Sequence, residues 1–439
     1  MELGQNWIFE SSYAMIYKIA NQVCGGIIMI DVLATINIGD VPLTLFGKID
    51  ETKHRIELNY QIISEASMKL SEIIYSPKLD LAVIDTRANQ YSVYGCKFTN
   101  AKTSFSNAGI TLLQGVFDRL VKEEALGKQY ISVQFCFMEI EKIFPLERFS
   151  TTFETPEDQL SFTKESQQIY QYSMCNGMDC LIKSKFTGVT QSDNLFDLEV
   201  KQYKIVSLIF KEKKCIDDLI GIVRVVKRYF EFILKQEISL TNVEFTNEGM
   251  GDFRKGQLLF DPLLQPHTFI KELPNNPYRG NAEDLLNGLN GWLNNFNQYS
   301  SVIDIWQKTV YNTNVSADDL FIWQCQAFEL LCTLNEEIFC KANTLKGKKQ
   351  QNPNLRNFLN AVNNLYGISK TIDQQFFGDV KEVRDKLTHN NPTKQVTERQ
   401  RKNSYIIIEY FLIKTISKIM GIKGIPVTLF LWPEEKENK

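Results

Sequence analysis

The hydrophobic period of this chain changes partway along it. Up to about residue 260, short runs alternate apolar and polar side chains, and from Asn281 onward apolar residues recur every three or four positions. A period of two puts successive side chains on opposite faces of a strand, whereas 3.6 gathers them on one stripe of a helix. No single element satisfies both, so the pattern predicts an α+β multidomain chain, with a β-rich part followed by an all-α part. With 439 residues each part is long enough to bury its own core.

In the first part, Arg55–Ile63, Leu79–Asp85, Gln90–Phe98 and Tyr130–Ile140 alternate, with turn residues such as Asn100 and Gly109 between the segments. Many short strands with polar punctuation predict a β-sandwich or jelly-roll-like pair of sheets. One inserted helix is expected over 216–235. It places Ile220, Val223, Val226, Phe230 and Ile233 on one face, with Lys227, Arg228 and Lys235 largely elsewhere. The domains expected are a β-rich N-terminal (sensor or regulatory) domain over 1–265, a transition over 266–280, a helical bundle over 281–433 and a charged tail over 434–439. Within the bundle, helices are expected over 281–311, 317–342, 353–368, 373–390 and 395–421. Ser316, followed by Asp318 and Asp319, is an N-cap signature. Asn390-Asn391-Pro392 closes the fourth helix, since a residue before proline leaves the α region, and Thr393 can cap the fifth.

Several function classes drop out. No apolar run reaches the ~18 residues of a membrane span, because Asp31, Glu409 and Lys414 interrupt the longest ones. Met1–Glu10 lacks the basic-then-apolar order of a signal peptide. The nine cysteines are odd in number and irregular in spacing, which fits reduced, buried thiols in a cytoplasmic protein; Cys325 and Cys332 lie in a helical pattern. There are three histidines, with no HExxH pair and no Cys/His cluster of zinc spacing. No cofactor and no metal are expected. Gly249, Gly251 and Gly256 lack the strand-then-helix context and the GK[ST] of a phosphate loop, and read as a plain turn.

The net charge of −3 hides an uneven division: residues 1–340 carry −12 and residues 341–439 carry +9. Lys346, Lys348 and Lys349 stand in a loop, and Lys394, Arg399, Arg401 and Lys402 at the start of the last helix. Two readings compete. One is a solvated helix face plus a loop, and the other is a polyanion-binding surface holding phosphates with salt-dependent affinity.

Between these clusters lies Asp379-Val-Lys-Glu-Val-Arg384-Asp385-Lys386-Leu387-Thr388-His389-Asn390-Asn391-Pro392. Arg384 and His389 are separated by four residues, with a polar residue after the arginine and a helix stop after the histidine. At roughly 100° per residue they differ by about 140° around an ideal helix, so they do not share a face. Either the last turn unwinds to aim the imidazole, or two copies of the motif meet across a two-fold axis; the two are compatible. RNA cleavage without a metal needs these residue types. A base takes the 2′-OH proton, an acid protonates the leaving 5′-oxygen, and a cation stabilises the phosphorane-like charge. Histidine titrates near neutrality, and the planar guanidinium fork suits phosphate oxygens. The bland alternative is that Arg384 pairs with Glu382 or Asp379 while His389 caps a helix end. His54, in an expected hairpin turn, and His267, after Pro266, read as local or surface histidines. Trp306, Trp323 and Phe328 read as bundle core.

The segment resembles the R-x4-6-H motif of HEPN domains, helical bundles whose active members are mostly metal-independent endoribonucleases and often dimers. Arg384 and His389 match the two essential positions, and Asp385 matches the usual polar second position. Leu289–Phe296, Ile303–Trp306 and Gln324–Leu331 resemble the helices leading into the ApeA-like HEPN domain. Leu45-Phe-Gly47-Lys-Ile resembles the β-rich N-terminal domain of that family. The resemblance spans roughly residues 35–420; one departure is Phe144–Phe149, where the family has a Trp. It implies a bacterial abortive-infection (anti-phage) endoribonuclease, acting on RNA (tRNA among the candidates), as a homodimer or higher homo-oligomer, with a phage-derived trigger. It implies Arg384, His389 and Asp385 as catalytic residues. Glu329, on the helix that should pack beside the motif, would orient Arg384. Lys346, Lys348, Lys349, Lys386, Lys394, Arg399, Arg401 and Lys402 would bind RNA. Alternatives are a non-catalytic HEPN scaffold or toxin–antitoxin partner whose β domain binds a ligand or protein, and an RNA-processing nuclease unrelated to defence.

Overall fold

The computed structural model describes residues 29–38, 41–50, 55–61, 79–85, 88–104, 110–122, 128–137, 139–140, 143–144, 149–154, 159–164, 169–174, 177–191, 198–247, 255–261, 264, 278, 280–312, 314–347, 351–372, 374–389, 395–425, 429 and 431. The chain divides into two compact units: Met1–Arg224 with Ser239–Thr268, and Val225–Ile238 with Phe269–Lys439. The first is rich in strands and the second is helical, in line with the switch of period. No helix among the described residues is long and apolar enough to cross a membrane.

In the first unit six antiparallel strands close into a ring. They are β1 (Met29–Ile38), β2 (Val41–Asp50), β3 (Arg55–Gln61), β4 (Leu79–Asp85), β5 (Gln90–Ser104) and β6 (Ile110–Val116), paired in the order β5-β4-β1-β2-β3-β6 and back to β5. Inward positions alternate along each strand, so Val32, Ala34, Ile56, Leu58, Val93 and Leu113 fill the interior. The expectation of two facing sheets rested on a period of two, which a sandwich and a barrel share. Closure comes instead from the length of β5: its first half pairs with β4 and β7 (Arg119–Lys122), and its second half with β6.

Gly95 marks the change of partner. Its φ is +65°, its N–H donates to Asp80 Oδ1 at 2.9 Å, and the β4 register shifts there. From β7 the same sheet continues through β15 (Lys255–Phe260), β14 (Thr241–Thr246), β8 (Gln129–Cys136), β13 (Leu198–Cys215), β12 (Met178–Gln191) and β11 (Tyr170–Ser173). A separate hairpin pairs β9 (Phe149–Glu154) with β10 (Gln159–Lys164). Arg119 ties this branch together, with Nε 3.0 Å from Asp261 and Nη1 2.5 Å from Asp217.

The unit boundary falls inside α1 (Ile216–Leu234). The sequence placed that whole helix in the β-rich part. Its later turns belong to the helical unit because their aromatic rings pack there: Phe232 lies 5.4 Å from Trp292 and 4.9 Å from Trp306 between ring centres. Trp292 Nε1 also donates to the Val225 carbonyl at 3.1 Å. The remaining helices among the described residues are α2 (Ala282–Tyr311), α3 (Ala317–Leu334), α4 (Glu336–Leu345), α5 (Leu355–Tyr366), α6 (Gln374–His389) and α7 (Glu398–Ile419).

Ser316 caps α3, accepting from Asp319 N at 3.2 Å. The single helix expected over 317–342 is two, because Asn335 leaves helical geometry. Its side chain accepts from Ile338 N at 3.0 Å, and so caps α4. α7 is capped by Thr397, with Gln400 returning the bond in a capping box. Thr393, proposed for that role, lies outside the described residues, as do Asn390, Asn391 and Pro392.

A fully buried carboxylate organises the start of the second unit. Glu231 accepts from Ile238 N at 3.2 Å, from Gln307 Nε2 at 2.9 Å, and from Lys227 and Tyr311. Four donors satisfy a charge that would otherwise be costly to bury.

Candidate functional site

The site is built on α6. Phe377, Val380 and Val383 are its buried residues. Arg384 comes seven positions after Phe377 and four after Val380, so it continues the inward stripe. Its guanidinium meets α3: Nη2 donates to Glu329 Oε1 at 2.6 Å, and Nη1 is 3.3 Å from Asp385 Oδ1. Asp385 Oδ2 in turn accepts from Lys381 Nζ at 2.5 Å. The side chains of Arg384, Glu329 and Asp385 are 21%, 29% and 19% exposed. Arg384 Nε is buried and has no hydrogen-bond acceptor among the described residues.

Burial raises the Glu329 carboxyl above the ordinary glutamate range. The Arg384 cation opposes that rise, and the neighbouring Asp385 charge adds to it. Beneath Glu329, one turn earlier on α3, the buried Cys325 thiol is also pushed up, by burial first and then by Glu329. α7 braces α6 from another side. Gln400 Nε2 donates to Asp379 Oδ1 at 3.0 Å, and Phe377 stands edge-on to Phe411 with ring centres 5.3 Å apart.

His389 is the last residue of α6 and is exposed. The helix stays α-helical through it, so the unwound last turn considered from the sequence is not found. On an ideal helix His389 stands about 140° from Arg384 but only about 40° from Asp385. Asp385 is thus adjacent to Arg384 in sequence and one turn from His389 on the same face, where i,i+4 side chains are neighbours. His54 and His267 lie outside the described residues.

The basic residues are distributed as follows. Lys348, Lys349 and Lys394 lie outside the described residues. Arg401 Nε donates to Asp318 Oδ1 at 2.9 Å and to the Tyr405 hydroxyl at 2.8 Å. Lys402 pairs with Glu398 at 2.7 Å, and Lys346 donates to the Gln351 carbonyl at 2.9 Å. Lys386 and Arg399 are half-buried. Arg401 and Lys402 therefore carry counter-ions already. Lys381 went unnoticed in the sequence, although its place four residues before Asp385 marks an i,i+4 pair. Among the described residues no group of three His, Cys, Asp or Glu is arranged to hold a metal ion.

No protein-family model, curated protein or solved structure matches the chain.

Proposed function

We propose that the chain is a metal-independent endoribonuclease of the HEPN kind, with Arg384 and His389 as its chemical residues, acting in anti-phage abortive infection. The observation that carries this reading is the arrangement along α6. α6 holds a guanidinium fixed by the Glu329 carboxylate of α3, with an exposed imidazole at its end. In the reaction, His389 takes the proton of the ribose 2′-OH, and O2′ attacks the adjacent phosphorus. The P–O5′ bond breaks, and the leaving oxygen takes a proton. Arg384 stabilises the charge on the non-bridging oxygens. The products are a 2′,3′-cyclic phosphate and a 5′-hydroxyl. One histidine per chain must serve both proton transfers in turn or be joined by that of a second copy. Because the two residues stand about 140° apart on one helix, a composite site across a two-fold axis fits better, and a homodimer is part of the proposal.

Glu329 holds Arg384 in place, and Asp385 shares a face with His389. The test is RNA degradation by the purified full chain in EDTA, wild type beside Arg384→Ala and His389→Ala. Cleavage by the wild type and loss in both variants is expected. Equal cleavage by all three proteins would assign it to a contaminant.

A second reading is favoured by one specific contact set. The Arg384 guanidinium already engages Glu329 and Asp385, as it would in a helical scaffold that binds a partner and cuts nothing. Absence of cleavage by a folded wild type with RNA of any class supports that reading.

A further inference from the structure

The end of α7 and the loop after it carry a separate cluster of charge. Lys414, Lys418 and Lys423 line one cavity of about 340 Å³, with Ile422 and Ile425 on its wall. Lys414 and Lys418 are four residues apart on the helix, so they stand side by side, which for like charges is unfavourable. The turn that follows brings Lys423 to the same cavity. Gly421 has φ +67°, its N–H donates to the Lys418 carbonyl at 3.4 Å, and the Ile422 N–H donates to the Ser417 carbonyl at 2.8 Å. This is the two-bond left-handed ending of a helix. Gly424 fixes the return of the chain: a Cβ there would stand 2.4 Å from Gly280 N.

Lysines at a helix C-terminus usually serve the last carbonyls. Here two of those carbonyls are taken by the turn's own N–H groups. Lys423 is 3.2 Å from Asp284, and the nearby Lys235 is 3.8 Å from Glu409. Neither Lys414 nor Lys418 has a carboxylate partner among the described residues. The Lys414 ammonium lies 5.9 Å from the centre of the Tyr410 ring. Burial lowers the pKa of Lys414, and Lys418 and Lys235 push it further in the same direction.

We propose that this cavity binds the phosphate group of a small phosphorylated ligand through Lys414, Lys418 and Lys423. An anion would relieve the repulsion between the two helix lysines and accept charge-assisted hydrogen bonds. The isoleucine wall would cover the ligand's apolar body. The volume lies at the lower end of the roughly 300–1,000 Å³ of small-molecule sites. The proposal is independent of the reading of Arg384 and His389.

Titration calorimetry of the full chain with inorganic phosphate, adenosine 5′-monophosphate and adenosine tests it. Saturable binding of phosphate and of the nucleotide, and none of adenosine, is expected. Lys418→Gln, at an exposed position that leaves folding intact, should weaken nucleotide binding about tenfold, the loss of one charge-assisted contact. Lys414→Arg, which keeps the charge, should retain binding. The proposal fails if neither phosphate probe binds saturably, if adenosine binds as well as its phosphate, or if Lys418→Gln binds as tightly as wild type. Binding of a short oligonucleotide with no binding of the small probes would also overturn it, in favour of a nucleic-acid surface.

Discussion

In the double variant Arg384→Met/Glu329→Leu, two charged side chains that are 21% and 29% exposed give way to apolar ones of comparable length. At 2.6 Å the pair has good geometry, and removing one partner alone should cost about 1–2 kcal/mol, between the values for exposed and buried pairs. Two costs offset that gain. The buried Nε–H of Arg384 lacks an acceptor among the described residues, a loss of roughly 1–3 kcal/mol. Burial also raises the Glu329 carboxyl in spite of its cation, so its ionised form is disfavoured in the fold.

The double variant should therefore unfold within about 1 kcal/mol of wild type, as apolar replacements of ion pairs often do. Chemical denaturation followed by circular dichroism measures this. The sign with pH follows from the raised carboxyl. Its contribution is fully present below the ordinary glutamate value and is lost as pH rises through the folded value. Glu329→Gln keeps a side-chain acceptor for Arg384 Nη2 and so escapes the cost of removing a partner outright; it should be at least as stable as wild type at pH 7, and lose that advantage below about pH 4.5, the value for an unperturbed glutamate. A loss of about 3 kcal/mol or more in the double variant, roughly twice the single-pair figure, would refute the reasoning and make the pair structural. A pair that adds nothing to stability yet fixes the guanidinium on α6 would point to a positioning role rather than a structural one.

Other outcomes follow from the same packing. Glu231→Ala removes the acceptor that Lys227, Ile238, Gln307 and Tyr311 share, and Gln307 keeps its bond to the Tyr311 hydroxyl at 2.8 Å. It should cost roughly 3–5 kcal/mol, read as a fall in melting temperature, and a loss under about 1 kcal/mol would contradict the network. Tyr311→Phe should cost less, about 1–2 kcal/mol. Burial and the Glu231 charge hold its phenol far above the ordinary tyrosine range, which keeps it a donor. Gly95→Ala forces a side chain to φ +65° with its Cβ 2.3 Å from Asp118 Oδ2. It should destabilise the barrel by about 1–2 kcal/mol or more, and Asp118→Ala in the same chain should recover part of the loss.

The period of the apolar pattern was enough to divide the chain, and it placed α1, α2, α5, α6 and α7 within a few residues of their ends. It could not place the break at Asn335, where no glycine or proline interrupts the pattern; the signal was the Asn-Glu-Glu run that caps α4 and lines its first turn with acid. Barrel closure was not legible either. It depends on β5 meeting β6 and β7 on one edge, a non-local pairing that a period of two does not encode. Among the motif residues, the sequence offered Glu329 as a partner for Arg384, while the stripe through Phe377, Val380 and Arg384 that turns the guanidinium inward emerged only from the packed helix. Lys381 and the Asp379–Gln400 contact were not foreseen, because each depends on side-chain reach across a surface only the packed helices define. The basic clusters were visible as charge, but the sequence did not show that Asp318 and Glu398 would occupy Arg401 and Lys402.

The central claim is that His389 moves a proton for a 2′-OH attack. The most direct measurement is the chemistry of the RNA ends produced by the purified full chain in EDTA, wild type beside His389→Ala. Expected are 2′,3′-cyclic phosphate and 5′-hydroxyl ends from the wild type and no cleavage by a His389→Ala protein with unchanged thermal unfolding. Ends bearing 5′-phosphate, a strict need for Mg²⁺ in the chemical step, or equal cleavage by His389→Ala would contradict it.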